Sequence, residues 1–234
     1  MIYPSELVEG RLIRRYKRFL ADVQLPSGVV TASCPNTGSL MGCCEPGSRV
    51  WLSESASPTR KYRHTWEMVE VGRVMVGINT GLPNALVAEA IANGTIAELA
   101  GYGSLRREVA FGEEGSRVDL LLESAGREAC YVEVKNVTAA ASKGVALFPD
   151  CVSLRGTKHL RELMRVKALG LRPVQVYCVQ RGDVHEVRPA DGIDHEYGRT
   201  LREAIAAGVE VLAYRATVTP REVRLATRIS VVCP

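Results

Sequence analysis

The chain has 234 residues, of which 46% are hydrophobic and 24% are charged, and its formal net charge at pH 7 is +4. This is an ordinary globular composition with room for one large domain or two small ones, and no apolar run is long enough to span a membrane. The seven cysteines form no C-x-x-C pair, which argues against a disulfide framework or a zinc site. The first ten residues lack the pattern of a secretory signal, so we expect a cytoplasmic protein with no membrane partner.

Two clusters of cations stand out in the first part of the chain: Arg11, Arg14, Arg15, Lys17 and Arg18, then Arg60, Lys61 and Arg63. Such clusters bind nucleic-acid phosphates, because each neutralised phosphate releases a counterion. The same residues are also typical of a solvated strand edge, where Lys and Arg prevent aggregation. The charge pattern alone leaves both interpretations open.

The first 82 residues predict a small all-β barrel. Turn-forming residues separate five short β-like runs, at 19–25, 28–33, 49–53, 65–71 and 73–78. Five short strands with almost no helical period are typical of an OB-type barrel, a fold that often binds nucleic acids. We therefore predict an OB-type, nucleic-acid-binding domain over residues 1–82.

From residue 83 the pattern changes to mixed helices and strands. A helix is predicted to begin at Pro83 and to stop at Asn93, and the order that follows is three strands, a helix, a strand, a helix and a last strand. The predicted strands are 107–111, 117–123, 130–137, 174–179 and 210–218; one helix ends at Gly170 and the other covers 200–207. Residues 83–234 therefore predict an α/β domain with a mixed sheet.

Two of these strands are predicted to form a hairpin that carries the candidate catalytic residues. A turn centred on Gly126 places Asp119 opposite Glu133, with Cβ atoms about 4.5–5.5 Å apart. Glu133 and Lys135 share a face, because residues two apart in a strand point the same way. The opposite face of the hairpin is apolar, and a one-residue slip of register would turn Asp119 toward it.

Two opposed carboxylates repel each other unless a cation lies between them, and Mg²⁺ or Mn²⁺ is the candidate cofactor. Such an ion polarises a phosphoryl oxygen and lowers the pKa of a bound water, while the Lys135 ammonium can orient that water. Glu89 on the first helix is the candidate third ligand, with Glu108 as the competing choice. The alternative for Glu133 and Lys135 is an exposed ion pair on a solvated sheet.

This order of elements, with its D…ExK pattern, resembles the PD-(D/E)xK nuclease superfamily. A closer resemblance is to the sugar fermentation stimulation protein A family. Segments along nearly the whole chain carry it: PNTGSL (35–40), NTGLPN (79–84), GYGSL (101–105), SRVD (116–119), YVEVK (131–135), FPD (148–150), RGTKHL (155–160) and GVEVLAY (208–214).

The resemblance implies an OB-type barrel joined to a nuclease-like domain, non-specific DNA binding and a role in regulating sugar (maltose) metabolism. Asp119, Glu133 and Lys135 match the D…ExK signature, and Glu89 matches the helix acid loosely. Further candidates for nucleic-acid binding, several of them at a predicted helix start that favours phosphate, are Arg117, Arg155, Lys158 and His159.

Three functions remain open on the sequence. The first is a DNA-binding protein with a metal-dependent nuclease site. The second is a non-catalytic DNA-binding regulator whose acidic cluster is structural, and the third is an enzyme that processes RNA or single strands. Assembly as a homodimer also stays open.

Overall fold

A closed barrel forms the first part of the chain in this computed structural model, which describes residues 1–111, 116–142 and 144–234. Its strands pair in the order β3-β2-β1-β4-β5, a parallel pairing of β3 with β5 closes the ring, and β6 extends β5 as a hairpin. The bounds are β1 Val8–Tyr16, β2 Leu20–Leu25, β3 Gly28–Ser33, β4 Arg49–Glu54, β5 His64–Val71 and β6 Val74–Gly77. The predicted OB-type barrel is confirmed.

The sequence did not predict β1 among the five strands of this barrel. Its inward side chains are few, since Gly10 and Leu12 are buried while Arg11, Ile13 and Arg14 are exposed. The run of cations hides the alternation that would otherwise reveal a strand. β1 pairs with β2 as far as Tyr16 but with β4 only over Val8–Arg11, so Arg11 does not lie on a free edge, whereas Arg14 and Arg15 lie beyond the pairing with β4.

A nine-stranded mixed sheet forms the rest of the chain. Its helices are α1 Pro83–Ala92, α2 Leu154–Ala168 and α3 His195–Ala206, and a short 3₁₀ turn covers Ala97–Leu99. Its strands are β7 Ser104–Phe111, β8 Ser116–Ser124, β9 Arg127–Val137, β10 Ala140–Ser142, β11 Gly144–Phe148, β12 Arg172–Val179, β13 Val184–Pro189, β14 Glu210–Val218 and β15 Val223–Val231. They lie in the order β10-β11-β13-β15-β14-β12-β9-β8-β7, which confirms the predicted mixed sheet.

Four strands of this sheet were not predicted: β10, β11, β13 and β15. The expectation that 210–218 is the last strand is wrong, because β15 pairs antiparallel with it. Along β15 only Val223, Leu225 and Ile229 are buried, so polar residues on the solvent side dilute the apolar pattern. β10 and β11 are too short to show an alternation of apolar and polar residues in the sequence.

The helices cover the two faces of the sheet. On one face α1 buries Leu86 and Val87 in the same core as Leu120 and Val132 of the hairpin. On the other, α2 and α3 pack together through Leu160, Leu163, Tyr197 and Leu201. In the part of the chain that the structure describes, none of the helices has both the length and the apolar surface needed to cross a membrane.

The barrel and the mixed sheet are fastened to each other by backbone contacts. The Gly77 amide donates to the Gln180 carbonyl at 2.9 Å, and Val76 forms an isolated bridge with Arg181. A Cβ on residue 77 would lie only 2.5 Å from Gln180 Oε1, so any larger residue would have to displace the buried side chain of Gln180. Ile2 also bridges to Glu222, so the first residues of the predicted 1–82 domain pair with the second sheet.

Candidate active site

The site begins where β8 and β9 separate. Their paired residues are Leu120 with Val132, Leu121 with Tyr131 and Leu122 with Cys130, which is the predicted register. One step further, the Val134 amide donates to Asp119 Oδ2 at 2.7 Å. The carboxylate of Asp119 therefore lies at the mouth of the gap between the strands, beside Glu133.

Glu133 and Lys135 form a buried cluster with His159 of α2. Their exposed fractions are 3%, 9% and 8%, so the alternative of an exposed ion pair is wrong. Lys135 Nζ donates to Glu133 Oε1 at 2.7 Å, and His159 Nδ1 contacts the same oxygen. Arg155 Nε donates to His159 Nε2 at 3.3 Å, which leaves the ring proton on Nδ1 for Glu133. His159 thus positions Glu133.

A further acid, Glu108, lies beside Asp119. It sits between the pairs Arg107–Leu120 and Val109–Val118 of the β7–β8 ladder, abreast of Asp119. Its φ of 52° is in the left-handed region, where a non-glycine residue is strained. The side chain of Asn84, at the start of α1, donates to Asp119 Oδ1 at 2.9 Å and to Glu108 Oε1 at 3.3 Å.

Glu89, the predicted third ligand, is not part of this cluster. Its carboxylate is 46% exposed and lies 2.7 Å from the amino group of Met1. Five residues separate it from Asn84, and at 3.6 residues per turn the two therefore point to different sides of α1. The acid that accompanies Asp119 is Glu108, the competing choice.

The two central carboxyl groups respond differently to burial. Burial, and then the negative charge of Glu133, raises the pKa of Asp119 above its ordinary value. Burial also acts to raise the pKa of Glu133, but the charge of Lys135 and the hydrogen bonds from His159 and Lys135 outweigh it and leave that pKa lowered. Lys135 and His159 therefore stabilise the carboxylate of Glu133, and Asp119 is the group that a further cation would stabilise.

The donor set suits a hard divalent ion. Asp119, Glu133 and Glu108 offer oxygen atoms, although among the described residues no group of three or more His, Cys, Asp or Glu side chains is placed to hold a metal ion. Mg²⁺ is commonly held by one or two carboxylates, with water and substrate phosphate completing its shell. An open site with two central carboxylates fits that mode of binding.

A cleft of about 350 Å³ opens beside Lys135, between the barrel and the mixed sheet. Two segments from the family resemblance meet at its rim, because Asp150 Oδ2 accepts from Ser39 Oγ and from the Leu40 amide, both at 3.1 Å. A Cβ on Gly38 would lie 2.8 Å from that oxygen, so this glycine permits the contact.

Four of the predicted nucleic-acid contacts are engaged within the protein. Arg15 donates to the carbonyls of Arg18, Asn36 and Gly38 at 2.7–2.9 Å and holds the loop after β3 in place. Asp22 offsets the charge of Arg14, and Glu54 offsets that of Arg63. His159 is buried beside Glu133 rather than exposed at the helix start.

The remaining predicted cations are solvent-accessible. Lys17 and Arg18 form the exposed β1–β2 turn, and Lys61 lies over the ring of Tyr62 at 5.4 Å. Lys158 is half-buried. The exposed members of the set are Arg11, Lys17, Arg18, Arg60, Lys61, Arg117 and Arg155. The sequence did not single out Asn84 as a site residue, and its only signal was the NTGLPN segment.

Comparison with known proteins matches both parts of the chain. A family model described as the SfsA N-terminal OB domain covers residues 13–78, and the sugar fermentation stimulation protein RE domain covers residues 81–222. A sugar fermentation stimulation protein homolog from Thioalkalivibrio sulfidiphilus is 64% identical over 94% of this chain and 93% of its own length.

Another homolog, from Geobacter metallireducens, is 59% identical over 99% of this chain and 100% of its own length. Among solved structures, that of Pyrococcus furiosus SfsA in complex with Ca²⁺ superimposes with a TM-score of 0.89 at 27% identity. It covers 99% of this chain and 98% of that chain.

Proposed function

This chain belongs to the sugar fermentation stimulation protein family, and we propose that it is a non-specific DNA-binding protein that hydrolyses phosphodiester bonds with Mg²⁺ or Mn²⁺. One observation carries the proposal. The Asp119 carboxylate accepts from the Val134 amide, next in the chain to Glu133, and the Lys135 ammonium donates to the Glu133 carboxylate. A divalent ion held by these two carboxylates could also contact a phosphate of bound DNA.

The chain's own residues have distinct roles in such a reaction. Asp119 and Glu133 would hold the ion. The side-chain amide of Asn84 donates to both Asp119 and Glu108, which keeps Glu108 close enough to be a further ligand. The bound ion supplies polarisation of a phosphoryl oxygen and a more acidic water. Lys135 orients that water and stabilises the charge developing on the phosphate. His159 holds Glu133 in its orientation.

The Ca²⁺ complex of the Pyrococcus furiosus relative supports a divalent ion, since Ca²⁺ and Mg²⁺ both prefer oxygen ligands. The exposed cations of the barrel, with Arg117 and Arg155, support backbone binding that does not read sequence. Regulation of sugar (maltose) metabolism, as the family resemblance implies, would act through this DNA binding.

The test is cleavage of labelled single- and double-stranded DNA over a titration of Mg²⁺ and Mn²⁺, with wild type and Glu133→Gln. We expect the variant to lose about a hundredfold or more of the cleavage rate, because a fixed charge at the reacting centre is removed. DNA affinity should be retained. Glu123→Gln is the matched control, since this acid lies on β8 near Asp119 but is 41% exposed and pairs with Arg106.

A non-catalytic DNA-binding protein is the second candidate. It is favoured by one observation: both oxygens of Asp119 already accept hydrogen bonds, from Asn84 and from the Val134 amide. Binding without cleavage by wild type in any divalent ion would establish this function and contradict the nuclease. Equal cleavage by wild type and Glu133→Gln would place the chemistry elsewhere.

A further inference from the structure

A pocket of about 440 Å³ lies between β9, the end of β7 and the second half of α2. Its walls are mainly apolar and include Phe111, Tyr131, Val166 and Leu169. It lies apart from the cleft beside Lys135, and none of the roles described above uses it. Its size suits a flat aromatic ligand more than an extended chain.

Two charged groups line this pocket, Glu162 and Arg165. Glu162 is 1% exposed, and its Oε1 contacts the guanidinium of Arg165. Its Oε2 is also buried but has no hydrogen-bond partner among the described residues. A buried carboxylate oxygen without a donor is costly, so this atom is suited to accept from a ligand N–H.

Two aromatic rings form another wall. The centroids of Phe111 and Tyr131 are 5.7 Å apart, and their planes are inclined by 50°. Partly exposed aromatic rings stack on nucleobases whatever the base, because every base has a π-face. The pocket therefore combines a stacking surface with a buried carboxylate oxygen that lacks a hydrogen-bond partner among the described residues.

The pocket adjoins the acidic cluster. Tyr131 precedes Glu133 by two residues on the same face of β9, which places it about 7 Å along the strand. Glu162 follows His159 by three residues on α2, so the two share a helix face. The sugar of one nucleotide can bridge the step from the cluster to the pocket.

We propose that this pocket binds one unpaired nucleobase, next to the phosphodiester that would face the ion held by Asp119 and Glu133. Glu162 Oε2 accepts a hydrogen bond from the exocyclic amino group of the base, and Tyr131 stacks on its ring. This inference rests on the proposed function for the position of the phosphate. It names the substrate class: a nucleic acid with an unpaired base that carries an amino group.

A comparison of binding to cytosine and to thymine distinguishes this proposal from stacking alone. Cytosine presents its N4 amino group, a donor that Glu accepts from in known contacts, whereas thymine presents a carbonyl oxygen at the same position. A carboxylate oxygen attracts the first group and repels the second. Uncharged stacking would treat the two bases nearly alike.

The experiment measures binding of labelled oligo-dC and oligo-dT of equal length by fluorescence anisotropy in EDTA, where no cleavage occurs. Wild type should bind oligo-dC about tenfold more tightly, the effect of one hydrogen bond to a charged group. Glu162→Gln should bring the ratio of affinities to about one. Tyr131→Leu should weaken both by about tenfold through lost stacking.

Glu203→Gln, which removes an exposed carboxylate on α3, is the control and should keep the wild-type ratio. Equal affinity of wild type for the two oligonucleotides would overturn the proposal, as would a ratio that survives in Glu162→Gln. If Glu162→Gln does not fold, the wild-type ratio and Tyr131→Leu still decide. If the protein prefers oligo-dC but cleaves no DNA, the proposed nucleobase pocket would stand and the proposed phosphodiester hydrolysis would be wrong.

Discussion

Arg15 illustrates how far a side chain's role depends on what surrounds it. The sequence counted it among the phosphate-binding cations, but its guanidinium is used on main-chain carbonyls of residues 18, 36 and 38. No pattern in the sequence distinguishes it from its neighbour Arg14, which is exposed and pairs with Asp22. The difference arises from a loop that returns to β1 from elsewhere in the chain.

Arg15→Lys should therefore lower the free energy of unfolding by about 1–3 kcal/mol, because an ammonium cannot serve several carbonyls as the guanidinium fork does. Arg14→Lys, next to it, should change that free energy by less than about 0.5 kcal/mol, as exposed ion pairs contribute little. Urea denaturation of both variants is the measurement. Equal losses would contradict the role given to Arg15.

The raised pKa of Asp119 predicts a pH-dependent affinity for divalent ions. A proton competes with the ion at this carboxylate, and the competition extends to a higher pH than for an ordinary Asp. Mg²⁺ should therefore raise the melting temperature more at about pH 7 than at about pH 5. In Asp119→Asn the Mg²⁺ effect should be small at both values; an unchanged pH profile would contradict this assignment.

At the residue scale, the sequence predicted the register of the β8–β9 hairpin better than the residues that surround it. Asp119, Glu133 and Lys135 followed from strand periodicity and a turn, which are local features. Glu108 rather than Glu89 accompanies them because of an irregular backbone in β7, which no periodicity predicts. Glu162 was missed because a lone acid between apolar helix positions looks like a solvent-facing residue.

Asp194 connects two elements at their ends. Its Oδ1 accepts from the Tyr197 amide and caps α3, while its Oδ2 accepts from the Ser153 amide before α2. It is 5% exposed, so both amides depend on it. Since α2 carries His159, this carboxylate also fixes the helix that orients Glu133.

Asp194→Ala should lower the free energy of unfolding by about 2–4 kcal/mol, since a helix cap and a second buried amide lose their acceptor. Ser153→Ala removes only the side-chain cap of α2 and should lower it by about 1 kcal/mol. Denaturant titration of both variants checks the order. A smaller loss for Asp194→Ala would mean that water replaces it.

At the element scale, helices and buried strands were predictable and the others were not. The first helix begins at Pro83 and ends before Asn93, as its proline and its Asn-Gly stop predict. By contrast, β13 and β15 have few buried apolar residues, and charged or polar residues lie between them. These segments become strands because they pair with neighbouring strands of the sheet, and several of those neighbours are distant in the sequence.

At the scale of the whole molecule, the barrel packs closely against the mixed sheet at Gly77. Gly77→Ala should lower the free energy of unfolding by about 1–3 kcal/mol, since the new methyl group would displace Gln180. Gly182→Ala is the control, because nothing lies within 4 Å of a Cβ there. Thermal melting checks both, and equal effects would show that the junction yields.

The same junction has a consequence for the kinetics of encounter. Gly77 with Gln180, Leu40 with Asp150 and Ile2 with Glu222 fasten the two units at three separate places. If the chain binds nucleic acid as proposed, these attachments hold the two units in one arrangement, so association should need no slow closing step. Its rate should then be governed by diffusion and by the attraction between charges.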